Sequence, residues 1–366
     1  MNVDENTDWS AFDGRPPFEF LHQLWTPGHE LPVEFWDSYA KLCLMSSREH
    51  FVVDDHPYRI HALDGWNEKK YPLSLNGKFI RIFSDLEKWL KVDQLSSYIS
   101  GKVRTMSRVK EYKYDQWTLW HEHAGILVED AYRYRGNPVT RESMHTSMRY
   151  ISRQAGPFRT TVARCIYKYF SAKNVLDTSS GWGERMIGAA SIPGLRYTGV
   201  DPNTKLVSCY HRFYSNLPPD QMKDERIKMI CSPIQSAGKA LEHRGPFDIV
   251  FTSPPFFDRE IYSDESTQSI SGTSTVDEWL QSFMFPMIDI CNTLMAPAGY
   301  FVISINDYAY HMKPRHRYCE KILDYMCNNG FKYLGCLPFS GFRKSLKKHH
   351  KQGTPQPCWV LKRVKR

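Results

Sequence analysis

The feature that most constrains the fold is a regular alternation of strand-like and helix-like segments that begins at residue 174. Short apolar runs typical of buried strands are separated by segments of helical periodicity: NVLDT, RYTGVD, IKMIC, FDIVFT and GYFVISIN. Two further strand-like runs, FKYLGCLPF and PCWVLKRV, close the pattern. This alternation predicts an α/β fold with a mostly parallel sheet and helices on both faces. Ligands of such sheets bind outside the carboxyl ends of the strands, so functional residues are expected in the loops there.

The chain before residue 157 predicts a different organisation. Residues 1–115 combine strand-like runs, HFVVDD and KFIRIF, with turn signals such as Asn76-Gly77, which predicts an α+β accessory region. Its tryptophans are interpreted as core residues. Residues 116–156 form a predicted helical connector, and 157–366 form the main domain. Pro157 suits the first turn of a helix through FRTTVARCIYKYF.

Charge is distributed unevenly along the chain. The first 100 residues carry 10 Lys and Arg against 16 Asp and Glu, whereas the rest carries 38 against 24. Within the segment FSGFRKSLKKHHK, the side chains predicted to contact nucleic-acid phosphates are Arg343, Lys344, Lys347, Lys348 and Lys351. The alternative is a solvated basic hairpin.

Composition bears on the environment of the protein. No apolar run approaches the roughly 20 residues of a bilayer-spanning helix, and the acidic N-terminal segment lacks the apolar core of a signal peptide. We therefore expect an intracellular protein, in the cytoplasm, nucleus or a viral compartment, that is not secreted and has no membrane partner. The nine cysteines form no CxxC pair and predict reduced thiols without a metal site.

The loop after the first strand of the alternating region is DTSSGWGER. Gly181 and Gly183 allow a tight turn, so that a ligand can lie against bare backbone. The helix N-terminus that follows favours an anionic group. An ordinary strand–helix turn is the alternative interpretation.

The second strand ends in GVDPN and places Asp201 about 20 residues beyond the glycine loop. An acidic residue at this spacing accepts hydrogen bonds from both ribose hydroxyls of a nucleoside, although a helix N-cap would also explain it. Together the two loops predict an adenosine-containing cofactor. The absence of full GxGxxG spacing counts against a dinucleotide.

The fourth strand ends in Ser253-Pro254-Pro255-Phe256, which predicts the catalytic residues. An exocyclic amine of adenine or cytosine is a poor nucleophile because its lone pair is delocalised into the ring. Hydrogen bonds to the Ser253 hydroxyl and the Pro254 carbonyl would favour a tetrahedral nitrogen and free that lone pair. The two prolines hold the acceptor carbonyl rigidly, and the Phe256 ring offers a stacking surface for an extruded base. A plain Pro-Pro strand end is the alternative.

Residues 157–364 resemble the amino-methyltransferase branch of the Rossmann-like methyltransferases, which makes N4-methylcytosine and N6-methyladenine. DTSSGWGER, GVDPN and TSPPF match the family motifs in their usual relative positions. The order of these motifs is similar to that in γ-type DNA amino-methyltransferases. The residues within the motifs are similar to those in methylases of phages and large DNA viruses. The resemblance implies a Rossmann-like seven-stranded sheet with the N-terminal α+β accessory domain beside it, and S-adenosyl-L-methionine as cofactor.

The resemblance also implies roles for individual residues. Asp177, Gly181 and Gly183 would line the methionine part of the cofactor, Asp201 would hold the ribose, and Phe158 and Arg159 match the place where the family binds the methionine end. The full set implied to bind the cofactor is Phe158, Arg159, Asp177, Ser179, Gly181, Gly183, Asp201, Asn203 and Ser232. Ser232 stands where many relatives place an acidic residue against the adenine amine. Only about 110 residues follow the catalytic motif, so target recognition is expected from the N-terminal region or is relaxed.

Several functional alternatives stay open. The serine form of the motif favours DNA cytosine N4 over adenine N6, and RNA adenine N6 methylation, including a cap-adjacent adenosine, is the second hypothesis. Glutamine methylation in a protein and a catalytically silent nucleic-acid-binding module are weaker alternatives. The polar segment FDREIYSDESTQSISGTST after the motif is expected to close over the substrate. Its Asp258 and Glu260 either orient the base or solvate the loop.

Overall fold

The computed structural model describes residues 30–55, 66–135, 141–217, 225–307, 316–342 and 355–364. The strands are β1 (Phe51–Asp54), β2 (Phe79–Asp85), β3 (Arg108–Val109), β4 (Asn174–Asp177), β5 (Arg196–Asp201), β6 (Ile227–Cys231), β7 (Phe247–Thr252), β8 (Glu260–Ile261), β9 (Met295–Ile303), β10 (Phe331–Cys336), β11 (Phe339–Phe342) and β12 (Trp359–Arg363). The α-helices are α1 (Val33–Cys43), α2 (Leu86–Asp93), α3 (Ser97–Thr105), α4 (Gln116–Arg135), α5 (Arg141–Ile151), α6 (Thr160–Tyr169), α7 (Glu184–Ala190), α8 (Val207–Tyr214), α9 (Gly238–Glu242), α10 (Val276–Trp279), α11 (Phe285–Leu294) and α12 (Cys319–Asn328).

Seven strands form the central sheet, in the order β10-β12-β9-β7-β4-β5-β6. Neighbours from β9 to β6 run parallel, whereas β12 is antiparallel to both β9 and β10. The predicted α/β fold with a mostly parallel, seven-stranded sheet is therefore confirmed. Its central strands carry consecutive buried apolar residues because both faces of the sheet are covered, as at Leu176, Val250 and Val302.

The strand order creates a switch point at the centre of the sheet. From β4 the chain continues outward through β5 and β6, and it then returns to the other side of β4 to form β7 and β9. A crevice opens at such a reversal, outside the carboxyl ends of the strands. The hydroxyls of Thr178 and Thr252, at the ends of β4 and β7, are hydrogen-bonded there at 3.1 Å.

The N-terminal region shares a second, three-stranded sheet with the C-terminal part of the chain, in the order β1-β2-β11. β2 pairs antiparallel with β1 and parallel with β11, which follows β10 in the chain. Apolar residues of both regions share one core: Phe35, Leu42, Val92, Val162 and Ile187. The division at residues 115 and 156 stays a prediction.

Helices α4 and α5 pack on each other around a small apolar cluster of their own: Leu119, Trp120, Leu127, Ala131 and Met144. The helical pattern predicted between residues 116 and 170 is confirmed, although α4 contains a kink at His123. Within the described ranges, no helix is long and apolar enough to cross a membrane.

One predicted helix start is wrong. α6 begins at Thr160, with Arg159 in the N-cap position, so Pro157 precedes the helix instead of occupying its first turn. The reason is a cap supplied from elsewhere in the chain. Asp93 accepts hydrogen bonds from the backbone N–H and the hydroxyl of Thr161 at 2.9 and 2.8 Å. The N–H of Thr161 in the first turn of α6, which has no partner within the helix, is thereby satisfied.

The long amphipathic segment before β9 is helical but interrupted. Residues Leu280–Met284 form a π-helix between α10 and α11. Pro286 has no amide hydrogen, so the carbonyl of Ser282 has no donor in the regular ladder. That carbonyl accepts a hydrogen bond of 3.4 Å from Nε2 of Gln235 instead.

Candidate active site

A cavity of about 470 Å³ lies at the switch point, outside the carboxyl ends of β4, β5 and β7. Its volume falls in the range of roughly 300–1,000 Å³ that is usual for ligand sites. The predicted residues that line it are Phe158, Ser179, Gly181, Asp201, Asn203, Ser253, Pro254, Pro255 and Phe256. The structure thus brings the glycine loop, the loop that follows β5 and the Pro-Pro motif to one cavity. Arg159, Asp177, Gly183 and Ser232 are predicted site residues that do not line it.

The glycine loop turns sharply at its two glycines. Gly181 and Gly183 have φ values of +58° and +97°, a left-handed conformation that glycine adopts without strain. Gly183 is also the N-cap of α7, and a Cβ there would stand 3.2 Å from Ile99 and 3.3 Å from Met186. Gly183 therefore shapes the loop from behind the cavity wall.

Asp177 is held in a buried ion pair. Its carboxylate accepts hydrogen bonds from Nε of Arg185 at 2.7 Å and from the hydroxyl of Tyr197 at 2.7 Å, and it is fully buried. Burial by itself would lower the pKa of Arg185, but the Asp177 carboxylate raises it above its ordinary value. Arg185 lines the cavity, with its guanidinium carbon 5.4 Å from the centre of the Phe158 ring. Asp177 therefore acts through Arg185.

Asp201 lines the cavity and contacts backbone groups on both sides. Its two oxygens accept hydrogen bonds from the amides of Gly181 at 2.8 Å and Asn203 at 3.0 Å. Burial raises the pKa of Asp201 to about 6, against the lowering by these two hydrogen bonds. The helix cap at this position comes from Asn203, whose side chain accepts from the amide of Lys205.

Asn203 and Ser232 differ in what they offer to a ligand. Nδ2 of Asn203 is buried, has no hydrogen-bond partner among the described residues, and belongs to a side chain that lines the cavity. The hydroxyl of Ser232 donates to the carbonyl of Pro233 at 3.0 Å. The Ser232 hydroxyl is therefore engaged within its own turn. The cavity is lined at this position by the neighbouring residues Pro233, Ile234 and Gln235.

The Ser253-Pro254-Pro255-Phe256 motif follows β7 and forms the opposite wall. The Ser253 hydroxyl donates to the carbonyl of Ser304 at 3.1 Å. Since the proton is engaged there, the oxygen presents its remaining lone pairs as acceptors. The Phe256 ring is 8 % exposed, and the guanidinium carbon of Arg259 lies 5.6 Å from its centre.

The polar segment after the motif covers the cavity. The residues of this segment that line the cavity are Arg259, Glu260, Tyr262, Ser266, Thr267, Gln268, Ser269 and Ser271. Glu265 accepts hydrogen bonds from the backbone amide and the hydroxyl of Thr204, and Asp264 pairs with Lys205 at 3.2 Å. These contacts join the cover to the turn that follows Asp201.

Asp258 and Glu260 have different surroundings. Asp258 pairs with Lys110 at 2.5 Å and does not line the cavity. Glu260 lines the cavity and accepts hydrogen bonds from the amide of Gly156 and the hydroxyl of Tyr262. It also belongs to β8, which pairs with β3, so the N-terminal region reaches the edge of the site.

The sequence analysis missed Glu184, the first residue of α7. This buried side chain lines the cavity and accepts a hydrogen bond from the hydroxyl of Ser96 at 2.5 Å. Burial raises the pKa of Glu184, while Ser96 and the nearby charge of Arg104 lower it. Its place directly after the second glycine was the available signal. The partner, 88 residues away, could not be found from a local pattern.

Two other groups of predicted residues need separate mention. Arg159 is partly buried behind the cavity, and burial lowers its pKa against the opposing charge of Asp93. The basic residues Arg343, Lys344, Lys347, Lys348 and Lys351 lie outside the described part of the chain.

No protein-family model and no curated protein matches the chain. Solved structures that resemble it include TrmN from Thermus thermophilus, at 14 % identity over 57 % of this chain and 49 % of that one, with a TM-score of 0.38. A SAM-dependent methyltransferase from Agrobacterium tumefaciens matches at 18 % identity, covering 59 % and 65 %, with a TM-score of 0.39. The glycopeptide N-methyltransferase MtfA, complexed with S-adenosyl-L-methionine, matches at 12 % identity, covering 57 % and 94 %, with a TM-score of 0.38. The chain spans about half the length of TrmN. At TM-scores this low, the likeness identifies neither the activity nor the substrate of this chain.

Proposed function

We propose that this protein is an S-adenosylmethionine-dependent methyltransferase that acts on the exocyclic amino group of a nucleic-acid base. The observation that carries the proposal is that residues suited to bind the cofactor and residues suited to bind the acceptor base line the same cavity. Asp201 and Gly181 line one side, and the Ser253-Pro254-Pro255-Phe256 motif lines the other. A cofactor and an acceptor base can then be held face to face, which converts a bimolecular step into one within a complex.

The residues on the cofactor side fit an adenosine. Each Asp201 oxygen accepts one backbone N–H and keeps a further lone pair for a ribose hydroxyl. Nδ2 of Asn203, which is buried and has no partner in the ranges that the structure describes, adds a donor. Further along the wall, the buried side chains of Glu184 and Arg185 supply a carboxylate and a guanidinium for the ammonium and carboxylate of a methionine. When bound, S-adenosylmethionine supplies a sulfonium methyl group that is transferred to nitrogen, leaving S-adenosylhomocysteine.

The residues on the acceptor side fit an aromatic amine. The Ser253 oxygen accepts a hydrogen bond from one amine N–H, because its own O–H donates to the carbonyl of Ser304. The Pro254 carbonyl, held by two consecutive prolines, accepts the other. Phe256 stacks on the base. The amine nitrogen so held keeps its lone pair directed at the methyl carbon, and no strong base is needed because the proton becomes acidic once that bond forms.

Exposed aromatic side chains support a nucleic-acid acceptor. Among the residues the structure describes, the exposed tyrosines, tryptophans and phenylalanines are Tyr132, Tyr134 and Tyr150, and all three lie on helices α4 and α5. Arg133 and Arg149 stand beside them in the chain and are also exposed. Tyrosine rings stack on unpaired bases and arginines contact phosphates, so this helix pair suits the strand that flanks the target.

Within this proposal, the resemblance to DNA amino-methyltransferases favours DNA over RNA. Within that family, the serine form of the motif favours cytosine N4 over adenine N6. The test is incubation of the purified chain with methyl-labelled S-adenosylmethionine and matched duplex DNA, single-stranded DNA or RNA, followed by nucleoside mass spectrometry. Labelled N4-methylcytosine in DNA is the expected product. Labelled N6-methyladenosine in RNA alone would favour the second hypothesis, and absence of both modified bases from every polymer would defeat the proposal.

A further inference from the structure

One polar side chain on the acceptor side of the cavity is explained neither by cofactor binding nor by the catalytic motif. Gln356 lies shortly before β12, and its backbone exchanges two hydrogen bonds of 2.9 Å with Phe339. Its half-buried side chain lines the cavity. Those backbone contacts would form with almost any residue type, so the amide group needs a separate explanation.

Ser304, which follows β9, connects Gln356 to the catalytic motif. Its carbonyl oxygen accepts the Ser253 hydroxyl at 3.1 Å, and its Oγ accepts Nε2 of Gln356 at 3.2 Å. Ser304 is fully buried, so it holds both neighbours from behind. The Ser253 hydroxyl and the Gln356 amide are therefore fixed side by side on the same wall of the cavity.

The direction of these hydrogen bonds decides what each group offers. Nε2 of Gln356 can only donate, so Oγ of Ser304 accepts one of its two hydrogens. A neutral amide has two N–H donors and one carbonyl acceptor. Within the described part of the chain, Gln356 therefore retains one N–H and its carbonyl oxygen for a ligand, beside the acceptor oxygen of Ser253.

We infer that Gln356 reads the target base by donating a hydrogen bond to the unprotonated ring nitrogen next to the amino-bearing carbon. The inference rests on the proposed function and specifies its substrate class. Adenine, through N1, and cytosine, through N3, both present an amine beside such a nitrogen. Ser253 accepts a hydrogen bond from the amine and Gln356 donates one to the adjacent ring nitrogen, so the pair recognises that edge in either base.

The test is a double-mutant cycle between protein and substrate. Oligonucleotides carry either the methylated base or its analogue with carbon in place of the ring nitrogen, 1-deazaadenine or 3-deazacytosine. For the wild-type protein, kcat/KM should fall by about 10- to 100-fold on the analogue, because a buried donor loses its acceptor. Gln356→Leu should be slow on the natural base and lose little more on the analogue. Any intrinsic change in amine reactivity cancels in the cycle.

Two further variants keep the test decisive. Gln356→Glu has nearly the same shape but replaces the donor with an acceptor, so it should lose the preference for the natural base. Gln235→Leu is the matched control, since Gln235 is another glutamine of the cavity wall whose Nε2 is bonded to Ser282. This variant should keep the wild-type ratio between the two oligonucleotides. Calorimetric binding of S-adenosylmethionine checks that each variant is folded.

The possible failures are distinguishable. If the wild-type protein methylates the base and the losses from Gln356→Leu and from the analogue simply multiply, the inference is overturned while the proposed function stands. A Gln356→Glu variant with the wild-type preference would have the same meaning. If the wild-type protein transfers no methyl group to any nucleic-acid base, the proposed function fails and this inference fails with it.

Discussion

Two neighbouring strands of the central sheet each end in an aspartate, and the structure gives the two carboxylates opposite surroundings. At the end of β4, Asp177 is sealed behind the cavity wall in an ion pair with Arg185. At the end of β5, Asp201 lines the cavity, and its hydrogen bonds come from backbone amides. The resemblance had implied a cofactor contact for both.

The difference depends on what stands within reach of each carboxylate. Arg185 lies in the first turn of α7 and folds back over the end of β4, so Asp177 is neutralised by a cation. Asp201 has no such cation at hydrogen-bond distance among the described residues. One carboxylate therefore stabilises the wall and positions Arg185, and the other remains available to a ligand. Four experiments test this division, and the first is expected to have the largest effect.

Removing the charge of Asp177 should damage stability. Asp177→Asn leaves Arg185 buried without its counter-ion, and breaking a buried pair in this way costs about 3–5 kcal/mol of unfolding free energy. Urea denaturation followed by circular dichroism measures the change. The double variant Asp177→Leu/Arg185→Met should recover most of the loss, since the two charges are removed together. A loss no larger than that of Asp201→Asn would contradict the contrast between the two carboxylates.

Removing the Phe256 ring should affect the acceptor side of the cavity without affecting the cofactor side. Phe256→Ala should lower kcat/KM for methyl transfer by about 10- to 100-fold, because base–aromatic stacking contributes roughly 1–3 kcal/mol. The affinity for S-adenosylmethionine, measured by calorimetry, should remain nearly unchanged. A matching loss of cofactor affinity would mean that the two sides of the cavity are not independent.

Asp201→Ala should show the opposite pattern. Loss of the charged acceptor should weaken S-adenosylmethionine binding by ~1–3 kcal/mol. Turnover at saturating cofactor should be less affected than in Phe256→Ala. The measurements are calorimetry and initial rates over a range of cofactor concentrations. Wild-type affinity in this variant would remove Asp201 from the proposed site.

The smallest expected effect is a pH dependence. Burial raises the pKa of Asp201 to about 6, so the carboxyl is mostly protonated at pH 5 and mostly ionised at pH 7. The ionised form is the better acceptor for ribose hydroxyls, and the affinity for S-adenosylmethionine should rise by about tenfold across that interval. The contribution of Asp201 to the free energy of unfolding has the opposite pH dependence, because its pKa is higher in the folded protein. This stabilising contribution is fully present below the ordinary pKa of about 4 and is lost as the pH rises through 6.

Asp201→Asn is the control for this pH dependence, since it cannot titrate. Its cofactor affinity should be flat between pH 5 and pH 7. A wild-type slope in Asp201→Asn would assign the titration to another group, and Glu184 would then be the first to examine because burial raises its pKa as well.

Much of the fold could be predicted because its signals are local. The strands Arg196–Asp201, Ile227–Cys231 and Phe247–Thr252 coincide with the apolar runs that predicted them. The Asn76-Gly77 turn adopts positive φ at both residues, as the dipeptide indicated. The late start of α6 was not predicted, because it depends on hydrogen bonds to Asp93, which is distant in sequence. The π-helix at Leu280–Met284 was not predicted either, although Pro286 was a local signal for it.

By itself, the sequence determined the alternation of strands and helices, the parallel sheet, and the loops at which a ligand site should form, because periodicity and turn residues act within a few positions. Only the tertiary structure decided which carboxylate faces the cavity, that Ser96 reaches Glu184 from 88 residues away, and that Ser304 sets Gln356 beside Ser253. The physical reason is that a side chain's role depends on the partner that burial brings to it. That partner comes from packing across the sheet, which local patterns in the sequence do not encode.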